Sequence, residues 1–327
     1  MKAVFVEKPG DPLVIRETDI PQPGAGEVLI RMAAAPINPS DIAIIKRAHS
    51  EVEPAPFIPG LEGAGKVVAA GKGLLPRLWL GKRVACSPMH GSGGTWAEYM
   101  VTSAVLCFPL GQKVSDEQGS MSLVNPLTAL AFINIAIRGR HRTIINNAAA
   151  SALGRMVELL CRKHGISLIN IVRSQEQADN LKSNGSLHVL NSSDPLFTDQ
   201  LALLSKELNA SILFDPVCGD KHHSLIEALP YGSTDVIYGN LSPDDYVMIN
   251  PSNLLANDIK IRGFYLGNQA KINGPLRNMF NLLKVRRLMS GDMKINIQSR
   301  VPLSRAQEAV DTYLNNMSAG KVLLIPD

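Results

Sequence analysis

The chain has 327 residues, 19% of them charged and 45% in the hydrophobic set, which excludes intrinsic disorder and leaves room for two domains. Lys and Arg number 33 against 29 acids, a net +4 without a long basic run, and aromatics are only 5%; no nucleic-acid partner is expected. No run approaches the ~18 apolar residues of a membrane span, the opening apolar run is too short for a signal peptide, and Cys86, Cys107, Cys161 and Cys218 lie far apart without a CxxC pair, so a reduced, cytoplasmic protein with no membrane contact is expected.

Nine of the 21 prolines fall in the first 60 residues. Proline avoids helix interiors and central strands. Short strands joined by turns are therefore predicted over 3–6, 14–17, 28–34, 65–70, 83–86 and 97–102, with Pro23-Gly24 and Gly91-Ser92-Gly93-Gly94 as turn punctuation. Residues 1–118 read as a β-rich domain.

From about 119 the pattern alternates. A short apolar strand is predicted over 143–146. Leu153, Met156, Val157, Leu160 and Cys161 then mark one face of a helix that stops at Gly165. Strands follow at 167–172, 188–190, 211–214, 235–238 and 259–263, and helices at 175–183, 196–208 and 222–229. Six strands separated by helices or longer connections imply an α/β fold, a doubly wound parallel sheet covered on both faces, over 119–266. The tail 301–325 returns to strand–helix–strand, and 267–327 is expected to complete the first domain. His222-His223 reads as the start of a surface helix, not a metal site.

The first strand-to-helix turn of such a sheet usually holds a pyrophosphate on free N–H groups. Here it runs Asn146-Asn147-Ala148-Ala149-Ala150-Ser151-Ala152-Leu153-Gly154, with Ala149, Ser151 and Gly154 at the three glycine positions of GxGxxG. Small residues still admit a phosphate close to the backbone. The plainer reading is a tight turn with Ser151 as helix N-cap. After the second strand, where an acid would read a free ribose hydroxyl, stand Arg173, Ser174 and Gln175. A cation there suits a 2′-phosphate and favours NADPH over NADH; otherwise Arg173 simply faces solvent.

Five ordered motifs add a resemblance. They are Ile37-Asn38-Pro39-Ser40-Asp41, Pro59-Gly60-Leu61-Glu62-Gly63-Ala64-Gly65, Gly81-Lys82-Arg83-Val84, Gly94-Thr95-Trp96-Ala97-Glu98-Tyr99 and Asn125-Pro126-Leu127-Thr128-Ala129. With them the chain resembles the medium-chain dehydrogenase/reductase superfamily over its full length. Within it, the chain is most similar to zinc-independent quinone oxidoreductases and mitochondrial-type 2-enoyl thioester reductases. The resemblance implies a GroES-like β-rich domain packed on a Rossmann domain, with the active site between them. It implies cofactor contacts from Asn125 and Thr128, from Ala150, Ser151, Ala152 and Leu153 at the pyrophosphate, and from Arg173, Ser174 and Gln175 at the 2′-phosphate. Tyr238, Gly239, Asn240 and Leu241, with Phe264, Tyr265 and Leu266, would line the nicotinamide pocket, and Lys321 would approach the cofactor from the C-terminal segment. Taken alone, Phe264 and Leu266 could be plain core and Lys321 a surface charge. A homodimer through the last Rossmann strands is implied by the same analogy.

Zinc-using members take ligands at places where this chain has Asn38 and Leu61, so no metal is expected. A metal-free site then points to hydride transfer onto quinones or α,β-unsaturated carbonyls, with small-molecule acceptors. Enoyl thioester (CoA or acyl-carrier-protein) reduction is the alternative, with Lys46 and Arg47 as a possible basic rim. A protein that binds NADPH without turnover is the third reading. The proton-donating tyrosine of enoyl thioester reductases, eight residues after the aspartate, corresponds to His49 after Asp41. His49 and Asn38 are thus the polar candidates for catalysis. His49 could instead be an ordinary loop residue, and Asn38 a turn former.

Overall fold

A computed structural model describes residues 1–46, 55–89, 91–244 and 246–327. The chain divides into two compact units, Met1–Leu127 with Met279–Asp327, and Thr128–Asn278. In chain order the first stretch contains β1 (Lys2–Phe5), β2 (Val14–Glu17), β3 (Glu27–Pro36), α1 (Pro39–Lys46), β4 (Gly63–Ala70), α2 (Leu74–Trp79), β5 (Arg83–Cys86), β6 (Tyr99–Ser103), β7 (Cys107–Pro109), α3 (Asp116–Ser120) and α4 (Val124–Arg138). Next come β8 (Thr143–Asn146), α5 (Ala152–His164), β9 (Ser167–Val172), α6 (Gln175–Ser183), β10 (His188–Asn191), α7 (Phe197–Glu207), β11 (Ile212–Asp215), α8 (His222–Glu227), β12 (Thr234–Ile237), α9 (Pro251–Asn257) and β13 (Lys260–Gly263). The chain ends with α10 (Leu266–Met289), β14 (Ile297–Pro302), α11 (Ala306–Asn315) and β15 (Lys321–Ile325).

In the first unit the largest sheet runs β14-β15-β3-β4-β5-β7, with β6 also pairing β3. The tail joins it: β15 lies antiparallel to β3, Leu323 and Leu324 opposite Pro36 and Ala35. This unit's core includes Val4, Ile37, Phe57, Trp96, Tyr313 and Leu324, so the two chain ends are packed together. Gly60 makes the turn before β4 at φ 107°, and a Cβ there would lie 2.4 Å from both Thr95 Oγ1 and Trp96 Cδ1. Only glycine suits that conformation and that space.

The second unit is built on six parallel strands in the order β10-β9-β8-β11-β12-β13. That is the doubly wound order, with its switch point between β8 and β11. Every residue of β8 and β11 is buried, as expected of central strands covered on both faces. Helix α5 buries the apolar face read from its sequence, and Gly165 ends it at φ 64°.

The sequence pattern missed several helices. Proline opens α1 rather than breaking structure, because the first helical residue needs no N–H partner. Helix α4 is apolar on nearly every side and so carries no 3.6-residue stripe. Helix α10 is interrupted at Gly274, φ 72°, before Pro275. No described helix is long and apolar enough to cross a membrane.

Candidate functional site

The turn after β8 lies at the switch point of the parallel sheet. Asn146, at the strand end, donates its amide to Asn170 Oδ1 (3.0 Å) and Gly154 O (3.3 Å), binding the turn to β9 and to the start of α5. Backbone bonds reach both neighbouring strands: Asn147 N donates to Phe214 O (3.1 Å) and Ala149 N to Ile171 O (3.0 Å). Ala148 is left-handed at φ 55°. Ser151 caps α5, its Oγ accepting from Gly154 N (3.0 Å). A Cβ on Gly154 would lie 2.4 Å from Ala149 O, so the third glycine position keeps its glycine where helix and turn touch. The first two tolerate Ala149 and Ser151. Ala150 and Leu153 are buried and Ala152 is half-buried beside the cap.

Arg173 follows β9, the strand next to β8. Its backbone is fastened by Gln177 Oε1 (3.2 Å) and Ser193 Oγ (2.8 Å), while its side chain is exposed and in no ion pair among the described residues. Ser174 caps α6, and Gln175 bonds Asp179 Oδ1 (2.7 Å).

Tyr238 to Leu241 follow β12, with Tyr238 N donating to Asp215 O and Leu241 N to Pro216 O, both at 3.0 Å. Phe264 follows β13. Tyr238 and Phe264 set their rings edge-on to Phe132, at 4.8 and 5.1 Å, and Phe132 stacks on Phe214 at 4.0 Å. Burial holds the Tyr238 hydroxyl above its ordinary range, so it is a neutral phenol. Tyr265 is largely exposed, Asn240 and Leu241 are exposed, and Leu266 opens α10 half-buried. On α4, Asn125 is half-buried and Thr128 buried.

The first unit holds a buried polar cluster centred on Asn38. Asn38 Nδ2 donates to Glu62 Oε1 (3.0 Å), and its Oδ1 accepts from Lys321 Nζ, which also donates to Ile37 O (3.2 Å). Asp41 accepts from Asn38 N (2.7 Å) and Leu61 N (2.9 Å). Glu62 Oε2 accepts from Leu123 N and Val124 N, both at 2.9 Å, capping the start of α4. The surface-charge reading of Lys321 is overturned: it is 2% exposed, and its Nζ sits 5.7 Å from the Tyr313 ring. Burial pulls Lys321 down to about 8, offset by Glu62 and Asp41, and pushes Asp41 up to about 7; Glu62 is also raised by burial. His49 lies outside the described residues, as does Arg47; Lys46 is exposed at the end of α1.

The residues where zinc would be held do not fit it. Asn38 has both ends of its amide occupied, and Leu61 offers no ligand atom. In the second unit Asp215, Cys218 and His222 bring three potential ligand atoms within 4.8 Å of one another. There, however, Asp215 is already engaged by four hydrogen-bond donors, one of them His222. The surface-helix reading of His222 is also corrected: α8 does start there, but His222 is fully buried between Asp215 and Asp235.

A doubly wound sheet with a small-residue turn at its switch point has the form of a dinucleotide-binding unit; the similarities that follow make the chain an oxidoreductase of the dehydrogenase/reductase type. Two family models match: the alcohol dehydrogenase GroES-like domain over residues 24–112 and the zinc-binding dehydrogenase over 152–282. The mitochondrial enoyl-[acyl-carrier-protein] reductase of Arabidopsis thaliana is 28% identical across 97% of this chain and 85% of the relative; one from Caenorhabditis elegans is 30% identical across 75% and 70%. A structure from Mesorhizobium loti, assigned as an NADPH:quinone reductase, is 32% identical with a TM-score of 0.92, covering 100% of this chain and 98% of that one. The chain belongs to the medium-chain dehydrogenase/reductase superfamily, in its zinc-independent quinone reductase and enoyl reductase-like part.

The Asn38 cluster makes a pH-dependent prediction. Asp41 has a folded pKa of about 7 against an ordinary 3.8, so its contribution to stability is full below about 4 and is lost as pH rises through 7. Lys321 supplies the compensating charge once the carboxyls ionise. Lys321 is itself about half-charged at pH 8, so Lys321→Met should cost up to about 3 kcal/mol there. The deficit should shrink towards pH 5, where Asp41 is neutral. Urea unfolding at both pH values measures it; an equal deficit at pH 5 and pH 8 counts against the buried ion cluster.

Proposed function

We propose that the chain is an NADPH-dependent, zinc-independent reductase of quinones or α,β-unsaturated carbonyls. The observation that carries this reading is a small-residue turn at the switch point beside the exposed guanidinium of Arg173, which has no ion pair among the described residues, at the end of the neighbouring strand. The name of the M. loti relative supports the cofactor and acceptor class. Bound NADPH would supply a hydride to the acceptor. The chain's own residues bind and orient. N–H groups at the start of α5, around Ala150, Ser151, Ala152 and Leu153, face the pyrophosphate. Arg173, Ser174 and Gln175 take the 2′-phosphate. Tyr238 to Leu241, Phe264 to Leu266, Asn125 and Thr128 shape the nicotinamide end. Asn38 presents a side chain fixed by Glu62 and Lys321, so Lys321 acts through Asn38. His49 is the proton donor in this reading.

The relatives named enoyl-[acyl-carrier-protein] reductase favour a second reading, reduction of 2-enoyl thioesters. Histidine in place of the expected tyrosine weighs toward quinones, whose reduction asks less of a carbon-protonating acid. A homodimer through β13 fits the same reading, because β13 is a sheet edge flanked by exposed Leu255 and Tyr265.

Arg173→Ala should weaken NADPH by about tenfold to a hundredfold and leave NADH nearly unchanged. Equal losses, read by fluorescence titration, count against the 2′-phosphate assignment. Assays of NADPH oxidation with 1,2-naphthoquinone, a simple enone and crotonyl-CoA should show turnover with the first two. Turnover with crotonyl-CoA alone would select the thioester reading, and tight NADPH binding with no oxidation would select a protein without turnover. Light scattering should give a dimer mass; a monomer removes the edge-pairing proposal.

A further inference from the structure

A line of buried side chains runs from the middle of the second unit to the phosphate turn. Ala148 is the alanine in the left-handed region, a conformation that disfavours any side chain. Asn147 holds it there, its Oδ1 accepting from Ala148 N at 2.8 Å. The other end of the same amide donates to Asp215 Oδ1 at 2.7 Å, across the switch point between β8 and β11. The amide has one workable orientation. Reversed, it would set N–H against N–H at Ala148 and oxygen against carboxylate at Asp215.

Asp215 is in turn fully engaged. Val217 N reaches Oδ1 at 2.8 Å, and Oδ2 accepts from Cys218 N (3.2 Å) and His222 Nδ1 (2.9 Å). Asp235 pairs with Leu213 in the sheet register, so it shares a face of the sheet with Asp215. Its Oδ2 lies 3.3 Å from His222 Nε2, and the Val236 backbone N–H also faces its carboxyl. All three side chains are fully buried. Burial pulls the His222 ring down, but Asp215 and Asp235 together leave it above its ordinary range; burial pushes Asp235 up to about 7. A buried charge pair of this kind is a weak source of stability, and its hydrogen bonds lead to the turn.

We propose that His222 and Asp235 are positioning residues for the phosphate turn, acting through Asp215 and Asn147 to hold Ala148 in its left-handed conformation. The consequence for cofactor affinity rests on the dinucleotide reading of that turn; the consequence for the turn itself does not. Two readouts keep these apart: NADPH affinity by fluorescence titration, and amide hydrogen exchange of residues 147–151 in the ligand-free protein. Asn147→Ala should raise the NADPH Kd about tenfold and speed exchange in the turn. Adding Ala148→Gly should restore both, because glycine takes positive φ without help. His222→Gln and Asp235→Asn should show the same signature at roughly threefold to tenfold, again reversed by Ala148→Gly. Damage elsewhere in α8 would not be relieved by a glycine in the turn. Wild-type exchange and affinity in His222→Gln, or a loss that Ala148→Gly leaves in place, would overturn the proposal. Should His222→Gln fail to fold, the near-isosteric Asp235→Asn decides on the same readouts. Should the wild type bind no NADPH, the dinucleotide reading falls and exchange alone decides whether His222 positions the turn.

Discussion

A carboxylate taken out of water must be given hydrogen-bond donors, and the second unit answers that need at Asp215 with four of them. Two come from the backbone just beyond β11, one from a helix and one from the turn after β8. The same carboxylate therefore shapes its own loop, anchors α8 and orients Asn147. Because β8 and β11 flank the switch point, saturating one buried charge also sets the backbone where a phosphate would lie. The turn keeps its shape with alanines in it because neighbouring side chains supply what glycine would otherwise supply.

The first unit meets the same requirement with different groups. Asp41 and Glu62 receive backbone N–H groups at the start of α1, before β4 and at the start of α4, and Lys321 supplies the countercharge. Asn38 lies between anion and cation with its amide fixed at both ends. Chemically this replaces a Lewis acid by a rigid hydrogen-bonding group. Such a group can orient a substrate or cofactor but cannot stabilise an alkoxide as an ion would. Such a group suits the proposed reading, in which the hydride acceptor generates a delocalised oxyanion.

Much of the architecture was readable because it is local. The 3.6-residue stripe of α5 ends at a glycine that adopts φ 64°, and the short apolar strands 143–146 and 167–172 stand where the pattern puts them. Helix α4 was not readable, since a helix apolar on all sides has no stripe to detect. The burial of His222 was missed as well. It sits after Gly219-Asp220-Lys221, a stretch that looks like surface. One signal was available: Asp215 and Asp235 fall at or within strands expected to be covered on both faces, and such carboxylates demand a nearby cation. The burial of Lys321 was not legible either, its partners being more than 250 residues away in the chain.

The sequence by itself determined the six strands of the parallel sheet and helices α5 to α8, the small-residue turn with Arg173 after the next strand, and the residues Asn38 and Leu61 at the places where zinc-using relatives hold their metal. These are properties of neighbouring residues and of motif spacing. Tertiary structure alone decided which charges are buried and with whom: Lys321 with Asn38 near Glu62 and Asp41, His222 between Asp215 and Asp235, Asn147 on Asp215. Strand register and sheet order bring those groups together, and desolvation then makes each depend on the partner that it meets.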